Sequence, residues 1–301
     1  MGEHHVRVYS GIDGCEVIGV VDVNPSRAAM VAAKYGTKAL GTIEELISLS
    51  PDAVSVAVPT YLHREIAEKL LRRGISCLVE KPIASTVNDA EAIIKAAEEG
   101  GAILMVGHVE RFNPAVKTLK DFLDKGNLGK ALLLHAKRAG PFDPRIKDVG
   151  IIIDLMTHDI DVTRFLLGRN PNTVYAAYGR HGRDVEDYAA MILDYGGTIA
   201  VLEADRFTPF KVRTLSVTGS NGFAVLDYLA QRVEVYDQSG RRELHVDKGE
   251  PLRIEIEHFL ECVKNKKVPT ISGQDALFVL KIALDGLGSG VGIYGNNPYV
   301  K

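Results

Sequence analysis

Two hydrophobic rhythms divide the chain. Up to about residue 110, short and continuously apolar runs alternate with stretches of helical composition. Residues 15–22 (CEVIGVVD), 53–58 (AVSVAV), 75–80 (ISCLVE) and 102–106 (AILMV) predict strands, with Pro59-Thr60 stopping the second and Lys81-Pro82 the third. Residues 25–35, 63–73 and 87–99 predict helices: Asn24-Pro25-Ser26 suits a helix N-terminus, and Gly74 and Gly100-Gly101 supply stops. Strands this short and apolar, each followed by a helix, imply a parallel sheet covered on both faces.

The second rhythm is different. Residues 150–167 predict a long apolar helix, and strand signals follow at 173–178, 188–193, 199–204, 215–218, 223–226 and 232–236. Tyr195-Gly196-Gly197 and Gly219-Ser220-Asn221-Gly222 are turn sequences, and helices at 252–264 and 274–287 close the chain. Strands joined by tight turns imply an open mixed, mainly antiparallel sheet with helices on one face. The pattern changes near Asn113-Pro114, which gives domains 1–113 and 114–301.

Composition narrows the function. With 46% hydrophobic and 25% charged residues in 301, the chain has the balance of a folded globular protein. A net charge of −3 offers no electrostatic footprint for nucleic acid or a membrane surface. No apolar run approaches the roughly 20 residues of a membrane-spanning helix, and the first residues have no signal-peptide core. Cys15, Cys77 and Cys262 are widely spaced and odd in number, which suits a reducing cytoplasm. No metal is expected: there is no Cys pair or Cys/His cluster, and His4 and His5 have no partners at metal-site spacing.

A dinucleotide-binding Rossmann domain opens with a strand and Gly-x-Gly-x-x-Gly entering a helix. Gly2 stands where the third glycine would, before a helix over 3–9, with no strand ahead of it. The expected fold is therefore α/β: a doubly wound parallel sheet lacking its first strand, then an α/β domain with an open sheet. The natural protein is expected to start about ten or more residues upstream, where that strand would lie. An acidic residue is due about 20 residues after the glycines, and Asp22 stands there. Its carboxylate would accept hydrogen bonds from ribose hydroxyls and repel a 2′-phosphate, which favours NAD. The alternative is an ordinary surface turn.

Lys81 follows a strand and precedes a proline, which keeps it extended at the carboxyl edge of the sheet, where ligands bind. A solvated turn lysine is the alternative. On the apolar helix, Asp154, His158 and Asp161 form a polar stripe at i, i+4 and i+7. Burying them is costly unless they are paired or used. Asp161 reads as an anchor to a backbone or arginine partner. Asp154 and His158 read as a carboxylate orienting an imidazole, for proton transfer or as a structural bond.

Glu80-Lys81-Pro82, Asp154-x-x-x-His158, Pro59-Thr60-x-x-His63 and Arg111-Phe112-x-Pro114, in this order and spacing, resemble the Gfo/Idh/MocA oxidoreductases. The resemblance spans essentially the whole chain, including Glu257-His258-Phe259 and Ser272-Gly273. It implies NAD(P)-dependent oxidation or reduction of sugars, nucleotide sugars, inositols and related alcohols. It also implies a homodimer or homotetramer built through the open sheet. Carried over by motif, Lys81 would hold and polarise a substrate hydroxyl, His158 would take its proton, and Asp154 would orient the site. Gly2, Asp22, Pro59, Thr60, His63, Glu80 and Lys81 would lie along the cofactor, and Arg111 would contact substrate.

Two departures refine this. The usual Gly-Gly-Gly before the catalytic helix is Asp148-Val149-Gly150, and the usual Asn two residues before Arg111 is Val109. With Gly140-Pro141-Phe142-x-x-Arg145, these resemble the branch that acts on UDP-N-acetylglucosamine at its 3-hydroxyl. Arg145 and Lys147 would then face a diphosphate, or else cap a loop in solvent. A free polyol or inositol is the alternative substrate. A non-catalytic NAD-binding sensor is the alternative of another class.

Overall fold

The computed structural model describes residues 1–142, 149–289 and 291–293. The chain forms two compact units, Met1–Val109 with Glu250–Leu277, and Glu110–Gly249 with Phe278–Lys301. The sequence pattern assigns everything after residue 113 to the second domain, whereas residues 250–277 return to the first. The helix Pro251–Asn265 makes that return, with Ile256 and Phe259 fully buried and Glu250, at its N-terminus, paired with Arg7.

In the first unit, α1 (Gly2–Tyr9), β1 (Val20–Val21), α2 (Pro25–Tyr35), β2 (Ala39–Leu40), α3 (Ile43–Ser48), β3 (Ala53–Val56), α4 (His63–Leu71), β4 (Ser76–Glu80), α5 (Val87–Gly100) and β5 (Leu104–Gly107) alternate along the chain. β1 and β2 form one parallel pair, and β3, β4 and β5 a parallel sheet in that order. These pieces match the two flanks of the doubly wound order 3-2-1-4-5-6. No strand lies between them among the described residues. This explains why the apolar run 15–22 yields only two paired residues: β2 is the one neighbour that β1 has. Where neighbours flank the strand, burial is complete: all five residues of β4 are buried. α2 starts as its sequence dictates, with the Asn24 side chain accepting from the Arg27 amide and Pro25 in the first turn.

In the second unit, α6 (Pro114–Asp124) and α7 (Thr157–Leu167) cover one face of a nine-stranded sheet. Its strands are β6 (Ala131–Ala139), β7 (Thr173–Gly179), β8 (Tyr188–Asp194), β9 (Ile199–Asp205), β10 (Val212–Gly219), β11 (Gly222–Asp227), β12 (Arg232–Asp237), β13 (Gly240–Leu244) and β14 (Val291–Ile293). Their order is β13-β12-β11-β10-β6-β9-β8-β7-β14, antiparallel except for β6 with β9 and β7 with β14. Burial alternates strictly along β8, where Ala189, Met191 and Leu193 face inward and Tyr188, Ala190 and Ile192 outward. Among the described residues no helix is long and apolar enough to cross a membrane.

Candidate active site

In the first unit the carboxyl edge of the parallel sheet gathers the expected residues. Lys81 directly follows β4 and is half-buried; its peptide bond to Pro82 is cis. Behind it, Glu80 is buried, and the reason is local: its partner across the ladder is Gly107. A Cβ on Gly107 would lie 3.2 Å from the carboxylate carbon, so only a glycine leaves this carboxylate full room. The carboxylate accepts from His5 Nε2 at 2.8 Å, and its other oxygen from the Lys81 amide at 3.3 Å. His5 Nδ1 lies 3.0 Å from Ser55 Oγ, which lies 2.8 Å from the Tyr9 hydroxyl. Burial pushes the Glu80 carboxyl up, but the bond from His5 and the charges of His5 and Lys81 outweigh it and hold it below its usual range.

His5 carries no signal in a search for metal or catalytic spacing. Its place in the helix, three residues after Gly2, is what turns it inward.

His63 opens α4 and bridges the edge. Its Nδ1 lies 3.0 Å from the Pro82 carbonyl and its Nε2 2.9 Å from the Val58 carbonyl. Burial lowers its proton affinity more than these carbonyls raise it. Pro59 and Thr60 lie between, Thr60 opening a short 3₁₀ turn through Leu62. Asp22 follows β1, its carboxylate accepting from the Asn24 amide at 2.8 Å and from Arg27 at 3.4 Å. It is partly exposed, and Gly2 opens α1. An acidic side chain after the β1 strand and a helix N-terminus in the same unit fit a dinucleotide.

In the second unit the helix bearing Asp154 and His158 departs from the expected regular helix. Ile152–Met156 is a π-helical turn, and α7 continues from Thr157. Such turns concentrate at functional sites. Asp154 lies in the π turn and His158, half-buried, in the first turn of α7. The turn is held from outside: the Ile151 amide donates to the Glu186 carbonyl at 3.0 Å and the Ile152 amide to the Glu186 carboxylate at 3.2 Å. A Cβ on Gly150 would fall 1.9 Å from that carboxylate, so of the expected glycine triplet this position keeps its glycine for a steric reason.

Three carboxylates of this helix meet arginines. Asp154 pairs with Arg206 at 3.1 Å, Asp159 takes Arg138 on both oxygens at 3.0 Å, and Asp161 takes Arg111 at 2.5 and 2.9 Å. Arg138 also reaches Glu110 at 2.8 Å. Asp161 is thus the anchor the sequence suggests. Arg111, expected to contact substrate, is only 8% exposed, with its fork turned onto Asp161 beside the Phe165 ring. Asp159, Arg138 and Arg206 escape sequence reasoning, because their pairing is decided across 21 to 52 residues. Arg145 and Lys147 lie outside the described residues, and no cluster of metal-binding side chains occurs among the described ones.

A Rossmann-type unit with a lysine at its strand edge, followed by an open-sheet unit bearing an aspartate–histidine helix, defines a dinucleotide-dependent oxidoreductase. Residues 1–108 match the family model described as oxidoreductase family, NAD-binding Rossmann fold, and residues 116–225 the model of the GFO/IDH/MocA C-terminal domain. The chain belongs to the Gfo/Idh/MocA oxidoreductase family, and its cofactor is NAD. It is 32% identical to the UDP-N-acetylglucosamine 3-dehydrogenase of Acidithiobacillus ferrooxidans, over 94% of this chain and 92% of that one. A solved structure of that enzyme superposes with a TM-score of 0.89 at 31% identity, over 96% of this chain and 94% of that one. The scyllo-inositol 2-dehydrogenase (NAD(+)) of Bacillus subtilis is 27% identical over 94% of this chain and 89% of that one.

Proposed function

We propose that the protein oxidises the 3-hydroxyl of UDP-N-acetylglucosamine with NAD. The observation that carries this is the whole-length similarity to a UDP-N-acetylglucosamine 3-dehydrogenase, together with the intact Lys81, Asp154 and His158. Bound NAD supplies the hydride acceptor at its nicotinamide ring. The rest is the work of the chain. Lys81 donates to the reacting hydroxyl and favours its ionisation, and the buried anion of Glu80 behind it keeps the strand edge fixed. His158 receives the hydroxyl proton as the carbon loses its hydride. Asp154 orients His158 from the π turn. Arg145 and Lys147 bind the diphosphate.

An inositol or other polyol is the second reading, favoured by the similarity to inositol dehydrogenases. A free polyol needs no diphosphate-binding arginine, so the two readings separate at Arg145. We also propose a homo-oligomer, as the family resemblance implies, working in the reducing cytoplasm that its three widely spaced cysteines suit. The uncovered sheet face carries Tyr175, Ile192, Ile199 and Leu133, apolar side chains of the kind subunit contacts cover.

Steady-state turnover with NAD tests the reading, comparing UDP-N-acetylglucosamine with scyllo-inositol, myo-inositol and free N-acetylglucosamine. The expected order puts the nucleotide sugar first by at least about tenfold in kcat/KM, with Arg145→Ala removing the advantage. Faster turnover of an inositol, unaffected by Arg145→Ala, assigns the polyol reading. Binding of NAD without turnover of any of the four, and with no effect of Lys81→Ala, assigns a sensor.

A further inference from the structure

Arg206 has no place in the motifs above, yet its head group lies where the catalytic helix begins. It is the first residue past β9, and its backbone is fixed on both sides. Its amide donates to the Asp187 carbonyl at 3.2 Å. The Asp205 carboxylate then accepts from the amides of Phe207 at 2.9 Å and Thr208 at 2.7 Å. From this rigid turn the side chain reaches inward and is 5% exposed. A single nitrogen, Nη2, donates to the Val149 carbonyl at 3.2 Å and to Asp154 Oδ2 at 3.1 Å. Burial, with Arg183 beside it, lowers the proton affinity of this guanidinium, and Asp154, Asp187 and Glu186 only partly offset that.

Burying an arginine this fully for one carboxylate is costly, and a hydrophobic side chain of similar size would serve stability as well or better. What the arrangement provides is position. Val149 lies just ahead of the helix, and Asp154 lies in its π turn. One guanidinium nitrogen shared by the two fixes the carboxylate against the helix start, as an outer partner orients a ligand in a metal site. Arg206 engages only Oδ2 of Asp154.

We propose that Arg206 is a positioning residue for the dehydrogenase reaction, holding the Asp154 carboxylate against the start of the catalytic helix so that Asp154 can orient His158. The kinetic part of this rests on the proposed function; the structural part does not.

The test pairs Arg206→Met and Arg206→Lys with Asp154→Asn in the full-length protein. In crystal structures, Arg206→Met should release the Asp154 side chain from its present rotamer, and Arg206→Lys should retain it. With UDP-N-acetylglucosamine and NAD, Arg206→Met should lower kcat about 10- to 100-fold with little change in either KM, and Arg206→Lys should recover part of it. In the Asp154→Asn background, Arg206→Met should cost less than about threefold, because both changes remove one unit. An Asp154 carboxylate that stays in place in Arg206→Met, or equal kinetic losses with and without Asp154→Asn, overturns the proposal. Should the wild type leave the nucleotide sugar untouched, the proposed substrate fails and the rotamer of Asp154 alone decides the role of Arg206. If Arg206→Met does not fold, the Lys variant and its cycle with Asp154→Asn carry the same test.

Discussion

His5 and Glu80, 75 residues apart, meet as a buried pair, the imidazole Nε2 2.8 Å from the carboxylate Oε1. The contact ties the first helix of the NAD-binding unit to the residue that precedes Lys81. The carboxyl is held below its ordinary value, so its contribution to stability is present above that value, about 4.3, and is lost as pH falls through the lower folded-state value. Glu80→Gln should therefore cost about 1–3 kcal/mol near neutral pH and progressively less in acid. Urea unfolding of both proteins across the acid range checks this: the two stability curves should converge as pH falls. Parallel curves would show that the charge of Glu80 contributes nothing.

Arg111 and Asp161 make a fork-to-fork ion pair at 5% and 1% side-chain exposure. Removing one partner leaves the other charge buried, so Arg111→Met should destabilise by about 3–5 kcal/mol. Since Arg111 serves as an anchor, the folded variant should keep the KM of the wild type. A large rise in KM at unchanged melting temperature would restore the substrate contact that the motif suggests.

How far the sequence could be read is decided by where each contact comes from. The Asn24-Pro25 helix start, the Lys81-Pro82 strand end and the alternation of β8 are local and legible. β6 is not, although it is central to the sheet. Its inward positions include Arg138, a charge in the place of an apolar residue, which breaks the alternation until Asp159 and Glu110 are seen to neutralise it. The π turn is hidden for a related reason: a strip of isoleucine and leucine fits a regular helix equally well, and what holds the turn is Glu186, more than 30 residues on. The same holds for Lys81, Asp154 and His158, which the sequence offers, and for Arg206, which it does not.

Gly150 tests the helix start directly. A methyl group there would meet the Glu186 carboxylate at 1.9 Å, so Gly150→Ala should displace Glu186, free the Ile152 amide and cost about 1–3 kcal/mol. Thermal unfolding together with kcat reads both effects, and unchanged values for both would mean that Glu186 does not hold the turn.

Asp22 tests the cofactor. Its carboxylate is already braced by the Asn24 amide and Arg27, and it follows β1, where the dinucleotide fold is expected to carry its ribose-binding acid. Asp22→Ser should lower kcat/KM for NAD about 10- to 100-fold and raise it for NADP, with Arg27 then available to a 2′-phosphate. Equal loss with both cofactors would place Asp22 outside the ribose site.

In the proposed reaction a hydride passes from the C3 position of a nucleotide sugar to NAD. UDP-N-acetylglucosamine carrying deuterium at C3 tests it most directly, with the reduced cofactor analysed by mass spectrometry. Singly deuterated NADH is expected from the wild type, and turnover lower by orders of magnitude from Lys81→Ala. Reduced cofactor without deuterium, or none while scyllo-inositol is oxidised, would contradict it.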